Sequence, residues 1–378
     1  MDPLLTEGLG SGNSTLGGGP LNRTDPLDVF AGLELLLRFK PLFVPLYCLL
    51  VAVACVGNAF LLACILADKK LHNATNFFIG NLAASDLLMC LSCVPLTASY
   101  AFDPRGWLFG HFLCHLVPLV QASTVYVSVL SLTAIAVDRY VVVAYPIRRR
   151  IPLRYCGLVA LGVWLLSLAL ATPPTLHTSY LDLRPAGHNL VVCEEFWMGA
   201  ETLRLLYSCL MLLMSYMIPL LSVTVSYCAI TAHLRHRCVP GAAQPNQAKW
   251  NKKKRKTFTL LVTSVLAFAL CWLPLQVLNL IRDLDTDFRI IGKRYVNIVQ
   301  VSCHLVAMSS ACYNPFIYAS LHHKFRLHLR HLLHPAQHRQ SSLLSLRASR
   351  HNTTCLSLVS EPLPRDSRDL DCNMDNPL

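Results

Sequence analysis

The chain has 378 residues, of which 54% are hydrophobic and 14% charged, a charged share well below the ~25% of a soluble globular protein, so lipid is the expected solvent. The formal net charge of +12 would suit nucleic acid if the Lys and Arg shared one soluble face. They cluster between apolar runs instead, which excludes a nucleic-acid partner and makes the basic balance a matter of topology.

Windows of about 20 apolar residues give seven spans, at 41–67, 76–100, 110–143, 153–175, 203–233, 257–282 and 295–320. The fold class is therefore an all-α membrane protein, a seven-transmembrane helix bundle over 41–320. Seven is odd, so the two termini lie on opposite sides. Segments between spans 1–2, 3–4 and 5–6 carry Lys69 and Lys70, then Arg148 to Arg150 and Arg154, then a run from Lys249 to Lys256. The other side has fewer and more dispersed cations, which places the basic segments in the cytoplasm and the N-terminus outside.

Residues 1–40 read as a flexible outer tail with glycosylation triplets at Asn13 and Asn22. The tail lacks a basic flank followed by an apolar core, so span 1 is expected to act as its own signal anchor. Triplets at Asn73 and Asn352 fall on the cytoplasmic side and should stay bare. Span 2 places Asp86 at mid-bilayer, where an ionisable group is costly and calls for a partner; Ser128, Ser310 and Asn314 are the candidates. Pro95 removes a backbone donor, leaves the Leu91 carbonyl partly free and should bend the outer half of that span.

Span 3 opens with Cys114 near one end and closes on Asp138-Arg139-Tyr140 at the other. Most of the sixteen cysteines lie within spans, where a thiol is a small apolar side chain. Cys114 and Cys193 fall at the outer rim and form the natural disulfide pair in an oxidising compartment. Beside Cys193 stand Glu194 and Glu195, which would overlook a cavity mouth, unless they are simply solvated loop charges. Span 5 carries Pro219 and Tyr227. Span 6 holds Cys271-Trp272-Leu273-Pro274, a hinge below a large aromatic, and span 7 ends Asn314-Pro315-Phe316-Ile317-Tyr318. Residues 321–334 then read as an amphipathic helix on the membrane surface, and 335–378 as a disordered cytoplasmic tail whose serines are open to phosphorylation.

A cysteine at one end of an apolar helix, Asp-Arg-Tyr at the other, and paired proline kinks in the last two spans resemble the rhodopsin-like (class A) G-protein-coupled receptors. The resemblance implies a plasma-membrane receptor. In it Asp138 restrains Arg139 at rest, Arg139, Tyr140 and Tyr227 serve a heterotrimeric G protein, and Trp272, Pro274, Asn314, Pro315 and Tyr318 carry the conformational change. It also implies receptor kinases and arrestin on the tail, contacts with membrane lipid, and no enzymatic activity or organic cofactor. A sodium ion at Asp86, Ser128, Ser310 and Asn314 is the one ion the resemblance suggests, against an Asp86 that is only hydrogen-bonded.

Span 7 has no lysine, which excludes a retinal Schiff base there. Gln121, two turns beyond Cys114, is neutral where biogenic-amine receptors carry Asp. The outer acids Glu194, Glu195 and Asp283, with Gln121, Gln276, Asn279, Gln300 and His304 deeper down, suit a ligand with a guanidinium and an uncharged amide end. Within the superfamily, Cys193-Glu194-Glu195-Phe196-Trp197 and Arg282-Asp283-Leu284-Asp285 resemble the receptors of amidated Arg-Phe neuropeptides. An amidated Arg-Tyr peptide of the neuropeptide Y type is the alternative the same acids would serve.

A transporter should show repeated halves with matching interrupted helices, and seven unequal spans show neither. An intramembrane hydrolase lacks both His-Glu-x-x-His and Gly-x-Ser-x-Gly.

Overall fold

The computed structural model describes residues 31–145, 151–187, 189–197, 199–236, 245–285 and 289–321. The glycosylation triplets at Asn13 and Asn22, the basic residues 148–150, the surface helix expected from 322 onward and the serine-rich tail lie outside the described residues. The helices, in chain order, are α1 (Ala31–Arg38), α2 (Lys40–Ala67), α3 (Ala74–Leu88), α4 (Val94–Phe102), α5 (Gly110–Ala144) and α6 (Leu153–Leu176). They continue as α7 (Glu201–Leu212), α8 (Ile218–His236), α9 (Pro245–Leu284), α10 (Val296–Met308) and α11 (Ser310–Leu321). Seven transmembrane stretches, long and apolar enough to cross a bilayer, follow from them, because α3 with α4, α7 with α8 and α10 with α11 each continue one another. The leucines of α6, among them Leu158, Leu161 and Leu165, are exposed, as a lipid-facing surface requires.

The third span is the axis of the bundle: α5 packs against α3, α6, α8 and α9. Its buried stripe, Val117, Val125, Val127, Leu132 and Ile135, is aliphatic, while Ser123, Thr124, Ser128 and Ser131 are buried among its neighbours as small hydroxyls. Small residues at a helix–helix contact let backbones approach closely where no hydrophobic force drives association.

Pro95, Pro219 and Pro315 each leave a local mark, whereas α9 runs unbroken through Pro274. Before Pro95 the span widens into a π-helical turn, Met89–Cys93, in which the Val94 N–H reaches back five residues to the Met89 carbonyl. The extra residue absorbs the clash expected at Leu91, so the bend is a widened turn rather than a simple kink. A second π-turn, Leu213–Met217, precedes Pro219. In span 7 the helix breaks at Ser309, between α10 and α11.

Pro315 cannot donate to the Ala311 carbonyl, and that carbonyl accepts instead from Asn58 Nδ2 on span 1 at 2.9 Å. Asn58 shares the same amide with Ala54 O at 2.9 Å. Its neighbour Gly57 makes room for the proline ring, since a Cβ there would lie 2.9 Å from Pro315 Cγ. Gly57→Leu should therefore force the two spans apart and cost ~1–3 kcal/mol, read as a lower thermal midpoint of the purified protein. An unchanged midpoint would mean that the close approach carries no stability.

The loop between spans 4 and 5 is a β-hairpin, β1 (Thr178–Asp182) antiparallel to β2 (Val191–Glu195), with Tyr180 opposite Cys193. A disulfide joins Cys114 to Cys193. Trp107 N–H donates to Val191 O at 2.8 Å and Val191 N–H to Arg105 O at 2.9 Å, tying the loop after span 2 to the same strand. Gly106 allows this, with φ of 76° and no space for a Cβ against the Val191 carbonyl. Trp107 packs in a buried cluster with Cys93, Cys114, Val117, Val191 and Cys193, and its indole donates to Gly110 O at 2.8 Å.

One boundary is corrected. Residues 31–38, assigned from the sequence to the flexible tail, form α1, which packs against α10. Leu36 is fully buried, and a Cβ on Gly32 would meet Lys293 O and Asn297 Nδ2 at 2.9 Å. The apolar periodicity of Leu33, Leu36 and Leu37 gives the helix a face to bury.

Asn73 is the N-cap of α3, its Oδ1 accepting from Asn76 N–H at 3.1 Å. Its side chain is thereby committed to a helix terminus.

Candidate functional site

A polar chain crosses the upper bundle. Thr97 Oγ1 donates to Gln121 Oε1 at 3.2 Å, Gln121 Nε2 meets His304 Nε2 at 3.2 Å, and His304 Nδ1 meets Tyr47 OH at 2.9 Å. Spans 1, 2, 3 and 7 are thus joined through one glutamine and one histidine, with Tyr47 OH also within 3.2 Å of Val301 O. Gln121 and His304, read from the sequence as separate deep positions, are direct neighbours. Thr97 and Tyr47 were missed. Both lie in otherwise apolar helices where a single hydroxyl gives no periodic signal, although a buried polar group in lipid does call for a partner.

Below that chain, Trp272 stacks on Phe268 with ring centroids 5.8 Å apart and donates its indole N–H to Ser310 Oγ at 3.1 Å. Gln276 and Asn279 lie on α9 between Trp272 and the outer rim, both half-buried.

The rim holds the acids. Asp283 accepts from Arg204 Nε at 2.7 Å and from Ser208 Oγ at 2.5 Å, and its side chain is 3% exposed. Glu194 accepts from Tyr100 OH at 3.1 Å, and Glu195 accepts from the indole of Trp197. Trp197 in turn stacks on His177 at 3.7 Å. Arg282 donates to Gln300 Oε1 at 3.4 Å and stands as the main positive charge acting on Glu194. Among the described side chains, three carboxylates and two guanidiniums leave the rim with one uncompensated negative charge.

Although Glu194 and Glu195 keep exposed atoms, burial of their carboxyls pushes both above the ordinary glutamate range; Arg282 and Tyr100 oppose the shift at Glu194, Trp197 and Arg204 at Glu195. The folded protein therefore holds these protons more firmly than the unfolded chain. Acidification neutralises this rim before it would neutralise free glutamates. Asp285, just outside, accepts from Ile290 N–H at 2.7 Å and serves its own loop, while Asp287 lies outside the described residues.

Arg204 and Arg282 are the residues that sequence reasoning did not weigh. Arg204 is 79 residues from Asp283, so nothing local announces the pair. The consequence is that Asp283 comes already engaged, and a ligand cation must share or displace Arg204.

At mid-bilayer, Asn314 Nδ2 donates to Asp86 Oδ2 at 2.8 Å and Ser128 Oγ to Oδ1 at 3.4 Å. Three of the four residues assigned to the ion site thus converge. Ser310 instead accepts the indole of Trp272, which links Trp272 to the helix that carries Asn314. A hard cation here would draw on the Asp86 carboxylate and the Ser128 hydroxyl, oxygen donors chemically suited to it.

At the end of α5 away from the disulfide, Asp138 holds Arg139 Nη2 at 2.8 Å and accepts from Thr75 Oγ1 of α3. Tyr140 packs edge-on to Tyr145, and Tyr318 is buried. Tyr227 lies in α8, with its side chain outside the described residues. Gln121 and Arg139 share α5 and stand 18 residues, or about 27 Å, apart. One helix therefore joins the polar chain to the Asp138–Arg139 ion pair.

The sequence profile described as 7 transmembrane receptor (rhodopsin family) matches residues 57–318, and the chain belongs to that family. It is a multi-pass membrane receptor of the signalling kind. Among curated relatives it is similar to the neuropeptide Y receptor type 2 of Homo sapiens, 32% identical over 295 residues, covering 77% of this chain and 76% of that receptor. The same receptor of Cavia porcellus is 33% identical over 284 residues, covering 74% and 73%. The RYamide receptor of Drosophila melanogaster is 32% identical over 334 residues, covering 86% and 71%.

Proposed function

We propose that this receptor is activated by a C-terminally amidated neuropeptide ending in Arg-Phe, and that the peptide is of the prolactin-releasing type. The carrying observation is the pairing of a rim whose described side chains bear one uncompensated negative charge with an uncharged floor of Gln121 and His304. A single guanidinium satisfies the rim, and an uncharged carboxamide satisfies the floor, where a free carboxylate would lack a cation. The aromatic side chain would pack toward Trp272. Resemblance to prolactin-releasing peptide receptors in Tyr100-Ala101-Phe102-Asp103-Pro104-Arg105-Gly106-Trp107 and Met308-Ser309-Ser310-Ala311-Cys312-Tyr313-Asn314-Pro315 supports the choice of Phe.

In this reading the N-terminus is extracellular and the receptor works at the plasma membrane. Peptide binding favours the state in which the inner half of span 6 swings about Pro274, Arg139 leaves Asp138, and a heterotrimeric G protein docks; the peptide shifts that equilibrium only by its differential affinity for the two states. Receptor kinases and arrestin would act on the phosphorylated tail.

A second reading, an amidated Arg-Tyr ligand, is favoured by the neuropeptide Y and RYamide receptors among the relatives. Matched peptides that differ only in Phe or Tyr, and in amide or free acid, should separate the two in calcium and cyclic-nucleotide assays on cells. The proposal expects the Arg-Phe amide to be the most potent and both free acids to be weak. Greater potency of the Arg-Tyr amide would transfer the assignment to the second reading.

A further inference from the structure

Away from the ligand cavity, a cleft of about 560 Å³ opens on the outer flank of the bundle between spans 1 and 2. Lys40, Val44 and Val51 of α2 line one wall, and Val94, Ala98 and Phe102 of α4 the other, at spacings of four or seven residues that place each set on a single helix face. The widened turn at Met89–Cys93, with Pro95 beyond it, lies at the inner end of the second wall. From Lys40 to Ala52 the cleft spans twelve residues, about 18 Å of helix, and one leaflet of a bilayer's hydrocarbon core is about 15 Å deep. It is therefore about one leaflet long.

The walls are apolar and the mouth is charged. Lys40 Nζ donates to Phe102 O at 3.1 Å and retains two N–H groups. Asp103, beside it, is bound by Arg105 at 2.9 Å, which holds its carboxyl below the ordinary range. Two cations and one anion leave the mouth with one positive charge.

We propose that this cleft is a binding site for a single phospholipid of the leaflet on the disulfide side, with the phosphodiester at Lys40 and one acyl chain along Val44, Val51, Pro95 and Ala98. A concavity facing lipid must be filled or its walls lose their dispersion contacts. The positive mouth selects a phosphate-bearing lipid over an uncharged sterol. Tyr47, which lines this cleft, also bonds His304, so the occupant lies one side chain away from the polar chain of the ligand cavity.

The test uses full-length receptor in lipid discs containing a phosphatidylcholine with a photoreactive group in its acyl chain, followed by peptide mapping. Label should concentrate on residues 44–52 and 94–99, exceed that on the exposed leucines of α6 at least fivefold, and be lost in Ala98→Trp, which fills the cleft from within. Lys40→Gln should reduce it severalfold while leaving α6 labelling unchanged. Label spread evenly between the cleft and α6, or unaffected by Ala98→Trp in receptor with normal thermal stability, would overturn the site. Displacement of the label by cholesterol but not by unlabelled phosphatidylcholine would overturn the choice of occupant.

Discussion

Asp283→Ala is expected to raise the peptide concentration needed for half-maximal signalling by about 100-fold, roughly 2.7 kcal/mol, while most receptor remains at the cell surface. Asp283 is the most enclosed carboxylate of the rim, with a side chain 3% exposed, and truncating one partner of an enclosed charge pair typically costs 2–5 kcal/mol. Its present partner, Arg204, keeps a 32% exposed side chain and can turn to water when the acid is removed, so folding should suffer little. A peptide with Ala in place of its penultimate Arg should be nearly indifferent to the same substitution, because the two changes delete opposite ends of one contact. Equal potency of wild type and Asp283→Ala for the Arg-containing peptide would remove Asp283 from the site.

Loss of the disulfide should be the largest structural effect. Cys114 and Cys193 are separated by 79 residues, and the chain-entropy argument values a closed loop of that length at roughly 4.5 kcal/mol. Against the ~5–15 kcal/mol of a typical folded protein, this approaches the whole margin. The bond also anchors β2, so its removal frees the strand that carries Glu194 and Glu195. Cys114→Ala, Cys193→Ala and the double variant should each lose most surface receptor and most of the remaining peptide affinity. The double variant should be no worse than either single one, since both singles already lack the link. Surface labelling and peptide dose–response curves measure the two losses separately, and near-normal values for both would contradict this role.

The seven spans were legible because apolar runs of bilayer length are a strong signal, and their observed limits differ from the expected ones mostly by a few residues at each end. The hairpin was not. Its strands are five residues each, and their register depends on Gly106, Trp107 and the disulfide, which come from other parts of the chain. The helix α1 was hidden by the Gly-rich residues before it, although Leu33, Leu36 and Leu37 already share a face. At the site, residue types were readable and pairings were not. Asp283 and Glu194 announce an acidic rim, but the engagement of Asp283 by Arg204 is a meeting of two helices. Likewise Ser310 reads as a neighbour of Asp86 until the break at Ser309 turns its hydroxyl to Trp272.

The central claim is that an amidated peptide bound at the outer rim is felt by Arg139 at the inner face. Nucleotide exchange on a purified heterotrimeric G protein, with full-length receptor in lipid discs and an amidated Arg-Phe peptide added, tests it most directly. The account predicts accelerated exchange with the amide, little with the free acid, and none of the peptide-driven increase with Arg139→Ala. Acceleration by the amide that survives intact in Arg139→Ala, or no acceleration by any amidated Arg-Phe or Arg-Tyr peptide, would contradict it.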